Sequence, residues 1–312
     1  LLEAELTAAG AQVVRQVPAG VLFMADAAAE MRVNLTSRIA TRILRKVGFT
    51  RYRKEEHIYR AALDLPWPDW FDVKKTIAVK VGAQNAPLKS LNFITLKIKD
   101  AICDRFREET HERPSVDTEA PDVPVYAFFT PDAVTFYLDT SGEPLFKRGF
   151  KREASAASIK ENLAAGLLML SGWDPGTPLL DPMCGAGTIL LEAADMALNR
   201  APGRGRHFAF EHYRDFDAKL WQRIKMDAQA QEKPLAQLPI FGADQDRWVL
   251  DKARNNLEVA GYADAVDLKV SDVLDLKPPT PAGTIVTNPP YGERLGEAED
   301  LAEWYPRLGD WL

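Results

Sequence analysis

Cysteine, histidine and long apolar runs are what this 312-residue chain has least of. Its two cysteines, Cys103 and Cys184, stand in unlike contexts, which excludes a disulfide framework and offers no zinc-type spacing. Four histidines, His57, His111, His207 and His212, are scattered, so no metal site is expected. No run approaches the roughly 18 apolar residues of a membrane span, and no basic-then-apolar amino terminus marks a signal peptide; no membrane association and a cytoplasmic location are the resulting expectations. Internal repeats and low-complexity tracts are absent too. What remains has the composition of an ordinary globular protein, 46% hydrophobic and 27% charged, long enough for two cores.

The net charge of −6 speaks against a nucleic-acid partner until the chain is divided at residue 160. Residues 1–160 carry 24 Lys+Arg against 21 Asp+Glu (+3), and residues 161–312 carry 15 against 24 (−9). The cations also cluster: Arg42, Arg45, Lys46, Arg51, Arg53 and Lys54 in one stretch, Lys147, Arg148, Lys151 and Arg152 in another. Such asymmetry points to polyanion contact, although most charge runs are solvated faces.

Residues 1–10 read as a helix end closed by Gly10, followed by a hairpin through Pro18-Ala19-Gly20 and a helix over residues 27–35. Residues 38–49 look like a basic strand, residues 64–71 a loop with a short helix, and residues 76–81 a clear strand. Leu91, Ile94, Ile98, Ile102 and Phe106 mark a long helix, and two strands follow at residues 125–129 and 134–138, which makes this half α+β. From residue 158 the pattern changes. A helix with Ile159, Leu163, Leu167 and Leu170 as its buried face opens a strand–helix alternation: strands at 178–181, 240–243, 266–270 and 284–287, helices at 188–199 and 247–260. That predicts a doubly wound, mostly parallel α/β sheet, with residues 200–238 as an insertion holding a helix near 217–231.

The chemistry sits at the strand ends. Asp181-Pro-Met183-Cys-Gly185-Ala-Gly187-Thr188 joins a strand to a helix, and its two glycines let backbone approach a ligand. A dinucleotide turn would carry a third glycine where Leu190 stands, and a Walker loop would need Gly-Lys-Ser/Thr. An acidic residue before the turn suits a cationic ligand, and S-adenosylmethionine fits; an ordinary tight turn is the alternative. Asp244 follows the next strand, where a carboxylate can accept ribose hydroxyls, and Asp272 follows the third, where it can accept an adenine amine; Gln245 and Val273 adjoin them. Asp246 reads as a helix N-cap. Each alone is a loop residue, but three in step are hard to assign to chance.

The run Gly283-Thr-Ile-Val ends at Asn288-Pro289-Pro290-Tyr291, a strand stopped by two prolines. If the Asn288 side-chain oxygen and the Pro289 carbonyl accept from an aromatic NH2 group, its lone pair can be turned toward a sulfonium methyl, with Tyr291 stacking on the extruded base. A proline turn capping a strand is the structural alternative. Cys184 lies in the cofactor turn rather than at Pro290, where a pyrimidine-attacking cysteine would stand, so it reads as a packing residue.

These motifs, with Lys147-Arg-Gly-Phe, Ile159-Lys-Glu-Asn-Leu and Val116-Asp-Thr-Glu-Ala-Pro-Asp-Val upstream, resemble the THUMP-domain guanine-N2 RNA methyltransferases, and most nearly the bacterial enzymes of large-subunit (23S) ribosomal RNA. The resemblance covers almost the whole chain. It implies a ferredoxin-like segment plus THUMP RNA-binding domain over residues 1–145 and a class I, Rossmann-like S-adenosylmethionine-dependent domain over 146–312. It also implies that Asp181, Gly185 and Gly187 line the methionine side of the cofactor, Asp244 the ribose, Asp272 the adenine, and Asn288 to Tyr291 the target guanine of RNA. Class I domains run on for three strands past this motif, whereas about 20 residues follow Tyr291, so a chain truncated on its substrate side is expected. Adenine-N6 methylation, a tRNA substrate and a non-catalytic RNA-binding scaffold stay open as alternatives.

Overall fold

The computed structural model describes residues 1–149, 158–290 and 297–312, with side chains from residue 301 onward in the last stretch. Helix α1 (Leu2–Ala8) leads into an antiparallel hairpin, β1 (Gln12–Val17) and β2 (Gly20–Met24), and then α2 (Ala27–Thr36), N-capped by Asp26. Next come β3 (Leu44–Arg51), α3 (Glu55–Leu63), the single turn α4 (Trp67–Trp70), β4 (Ile77–Ala83), α5 (Leu91–Thr110), β5 (Val123–Phe129) and β6 (Ala133–Asp139). These strands form a sheet in the order β3-β6-β5-β4, with only β4 and β5 parallel. One face is covered: Ile94, Ile98, Ile102 and Phe106 of α5 pack in one core with Val125, Ala127 and Phe129 of β5. The basic stretch becomes a strand only from Leu44. Before it, Ser37, Arg38 and Ile39 wrap around the Glu5 carboxylate, which accepts from the Ser37 hydroxyl and from the amides of the other two.

The second half is built from α6 (Glu161–Leu170), β7 (Leu179–Asp181), α7 (Thr188–Ala197), α8 (Ala218–Ala230), β8 (Ile240–Asp244), α9 (Arg247–Val259), β9 (Asp267–Val270), β10 (Thr284–Ile285) and α10 (Glu297–Trp311). Its strands are all parallel, in the order β10-β7-β8-β9. The chain runs outward from β7 through β8 to β9 and then returns to the other side of β7, which makes the gap between β7 and β10 a topological switch point. The strand expected over residues 284–287 is shorter: Thr284 and Ile285 pair with β7, the Val286 amide still donates to the Leu180 carbonyl (3.1 Å), and the prolines beyond it end the ladder.

The buried face of α6 corrects one expectation. On α6 the buried residues are Ala164, Ala165, Gly166 and Leu168, while Leu163 and Leu170 are 55% and 73% exposed. Ala164 and Leu168 share a core with Ile189 and Leu190 of α7, and Gly166 faces Ile39. The insertion also belongs physically to the first half: Phe208, Phe210, Tyr213, Trp221 and Ile224 sit in the same core as α5 and β5.

Candidate active site

Polar residues stand at or just beyond the carboxyl end of each strand of the parallel sheet: Asp181 on β7, Asp244 on β8, Asp272 after β9 and Asn288 after β10. Asp181 closes β7 and is buried; the Met183 amide (3.3 Å) and the Thr287 hydroxyl (2.7 Å) both donate to its Oδ1. The Thr287 contact follows from register: Ile285 pairs with Leu180, so the residue after next comes level with the end of β7. Burial pushes the Asp181 carboxyl up to about 7, with Asp244 adding to the rise and the Thr287 and Met183 donors opposing it.

The glycine turn is held from three sides. Gly185 and Gly187 have φ of +55° and +80°, and the Gly185 amide donates to Asp244 Oδ2 at 2.9 Å. A Cβ on Gly187 would stand 3.1 Å from that of Ala253, so glycine lets α9 approach the turn. The Asn256 side-chain amide, wholly buried on α9, donates to the Ala186 carbonyl at 3.0 Å. α7 starts at Thr188 with no side-chain cap, which leaves its first-turn amides to whatever occupies the cradle. Cys184 is buried, and burial together with Asp181 and Asp244 raises its thiol well above the usual range, as a packing residue requires.

Asp244, half-buried, also accepts from the Asp246 amide (3.0 Å), and Asp246 N-caps α9 through the amides of Trp248 and Val249. Gln245 is exposed beside it, Asp272 caps the next turn through the Leu274 amide (2.9 Å), and Val273 is buried. Asn288 and Pro289 are half-buried, and the exposed Pro290 offers its carbonyl to the Tyr305 hydroxyl (2.7 Å). The edge therefore brings together Asp181, the glycine turn, Asp244, Asp272 and Asn288. Tyr291, Lys151 and Arg152 lie outside the described residues. Among the described residues no group of three or more His, Cys, Asp or Glu could hold a metal ion, and no helix is long and apolar enough to cross a membrane.

The basic candidates divide. Lys46, Arg51, Arg53 and Lys54 are exposed. Arg42 is engaged by Asp139 and the Gly142 carbonyl, and Arg45 by Glu30 and Asp215. Lys147 pairs with Glu143 on the surface. Arg148 is the clear correction: it is 4% exposed, bonded to Glu192 (3.1 Å) and to the carbonyls of Leu145 and Arg38. Its charge belongs to an internal cluster and takes no part in a surface patch. Asn256 carries no motif, and Thr287, which opens the Asn-Pro-Pro-Tyr run, has no role legible in it; only the helix packing and the strand register reveal their contacts.

A parallel sheet wound about a switch point, with a glycine turn after its first strand and acidic residues after the next two, is the class I, Rossmann-like methyltransferase fold. The chain belongs to the RMKL-like methyltransferase family, whose domain matches residues 148–312, after an RlmL ferredoxin-like domain over 1–44 and a THUMP domain over 52–139. A ribosomal RNA large subunit methyltransferase K/L of Shewanella baltica is 40% identical over 315 residues, covering 99% of this chain and 44% of the relative, so the chain spans less than half the length of such relatives. The Synechocystis sp. protein slr0064 is 36% identical over 309 residues, 99% of this chain and 80% of its own. Among solved structures, SMU.472 complexed with SAH superposes with a TM-score of 0.88 at 32% identity, covering 99% of this chain and 82% of that one.

Proposed function

We propose that the protein transfers a methyl group from S-adenosylmethionine to the exocyclic N2 amine of a guanine in large-subunit ribosomal RNA. The observation that carries this reading is the shared edge: a carboxylate-lined glycine cradle joined through the Asp181–Thr287 hydrogen bond to Asn288-Pro289. The cradle suits the cofactor chemically. Positive-φ glycines leave room for a ligand, uncapped amides on α7 can hold a carboxylate, and three acidic side chains can take an ammonium group and ribose hydroxyls. When bound, the cofactor supplies an electrophilic methyl on a sulfonium sulfur.

The chain's residues then divide the work. Asp181, Met183, Gly185, Gly187 and Thr188 surround the amino-acid end, Asp244 and Gln245 the ribose, and Asp272 and Val273 the adenine. The Asn288 oxygen and the Pro289 carbonyl accept from the amine, so that its nitrogen lone pair faces the methyl. Held in this way by Asn288 and Pro289, the amine would be aligned with the methyl that the bound cofactor would supply, and its proton would leave to water. By its place in the motif, Tyr291 would stack on the base. Residues 1–145 bind the RNA and 146–312 carry the transfer.

RNA from a strain lacking the gene, incubated with the full-length protein and labelled cofactor, should yield N2-methylguanosine on nucleoside digestion, located in the large-subunit RNA. Asn288→Ala should lose about 10²-fold in rate. Methyladenosine in place of N2-methylguanosine, or label in tRNA alone, would overturn the assignment. Full methylation by Asn288→Ala would remove Asn288 from the mechanism.

A further inference from the structure

One face of the sheet β3-β6-β5-β4 packs into the core with α5, and the residues on its other face are not those of a surface left to water. Strand register sets them in rows. Lys46 pairs with Tyr137, Tyr137 with Tyr126 and Tyr126 with Lys80, so two tyrosines flanked by two lysines cross all four strands. In the next row Phe49 stands opposite Thr135, Thr135 opposite Phe128, and Phe128 opposite Gly82. Phe49 is 58% exposed, and none of the four rings packs against the hydrophobic core. The Tyr126 and Tyr137 rings lie 6.3 Å apart, and neither hydroxyl has a hydrogen-bond partner among the described residues.

Gly82 explains how the rings lie. A Cβ there would come within 2.1 Å of the Tyr126 hydroxyl oxygen and 3.4 Å of the Phe128 ring, so both rings lean over the bare backbone of β4. Aromatic faces laid along a pleated surface in this way offer area for stacking, which a core position would already have filled.

The charge identifies the occupant. The four strands contain one carboxylate, Asp139, which is held by Arg42. Lys46, Arg51 and Lys80 share the open face and have no carboxylate partner among the described residues; Lys46 lies over the Phe49 ring at 5.2 Å. Rings interleaved with free cations suit a polyanion whose flat groups are accessible. A duplex hides its base faces, whereas a single strand presents them.

We propose that this face is a stacking platform for single-stranded RNA, with Phe49, Tyr126, Phe128 and Tyr137 receiving bases and Lys46, Arg51 and Lys80 receiving phosphates. It deepens the reading of the protein as an RNA methyltransferase by naming where the RNA is held, and it rests on that reading only for the identity of the RNA.

The test is fluorescence anisotropy of the full-length protein with a labelled single-stranded oligouridylate and a duplex of equal length. The single strand should bind more tightly. Phe49→Ala and Tyr137→Ala should each weaken it roughly 5- to 150-fold, while Tyr137→Phe keeps the ring and the affinity. Phe49 is already solvent-exposed, so its removal leaves the fold intact, and Gly82→Val, which crowds Tyr126, should mimic the loss. Lys46→Ala and Lys80→Ala should each lower the log–log salt slope by roughly 0.7. Parent-level binding by Phe49→Ala and Tyr137→Ala, or equal affinity for the duplex, would overturn the platform. Calorimetry of cofactor binding on the same variants should match the parent. Absence of cofactor binding in the parent itself would strike at methyl transfer and leave the platform standing.

Discussion

Asp181 is under two opposing demands: it is buried at a strand end, yet it faces a cradle built for a cation. Its folded value of about 7 lies above the ordinary 3.8, so the protonated form is the one the empty fold favours. The stabilisation from that proton is complete below about pH 4 and is lost as the pH rises through about 7. Urea unfolding of the cofactor-free protein should therefore show stability falling across pH 4 to 7, and Asp181→Asn should flatten that fall. An ammonium group in the cradle favours the carboxylate, so cofactor binding near pH 6 should release protons. Calorimetry in two buffers of different ionisation enthalpy reads this directly: heats independent of buffer, or an unchanged pH slope in Asp181→Asn, would show that the carboxyl titrates elsewhere. The residue was legible as a ligand-facing acid from the turn that follows it. Its second partner was not, because Thr287 comes beside it only when β10 pairs with β7.

At the scale of elements, the cofactor turn depends on α9 as much as on its own glycines. Asn256→Leu would leave the buried Ala186 carbonyl without its donor, at a cost of about 1–3 kcal/mol, and Gly187→Ala would force a left-handed residue against Ala253, at about 1–2 kcal/mol before the clash is counted. Both should lower the urea midpoint and weaken cofactor binding together; a lowered midpoint with unchanged affinity would separate α9 from the site. The alternation of strands and helices was readable because each apolar run stops at, or within three residues of, an aspartate or a proline. The buried face of α6 was not, since counting large side chains selects Leu163 and Leu170, whereas the buried face carries Ala164, Ala165, Gly166 and Leu168. Arg148 misled for a related reason: its partner Glu192 is 44 positions away, and local charge density cannot show that a cation turns inward.

For the whole molecule, the two halves are tied by a segment that sequence order assigns to one and packing assigns to the other. The Gly203 amide donates to Leu35, the Phe210 amide to Thr140, and Arg206 to the carbonyls of Ser141, Glu143 and Pro144. Phe208, Phe210 and Trp221 pack ring on ring, with Trp221 edge-on to both phenylalanines, inside the core of the first half. Behind them Arg38 and Arg148 meet Glu192 of α7, Arg204 meets Asp195, and burial raises the Glu192 carboxyl against the pull of both arginines. A fragment ending at residue 145 would thus lose both the rings and the ionic seam, while the intact chain should unfold in one transition by fluorescence and far-UV circular dichroism. Trp221→Ala should cost about 3–5 kcal/mol, a core loss felt in RNA binding although the residue stands within the methyltransferase sequence. Residues 1–145 alone should show no cooperative transition, and adding residues 200–231 through a flexible linker should restore one. If the short fragment unfolded at the midpoint of the intact chain, the insertion would be an ornament on a core already complete.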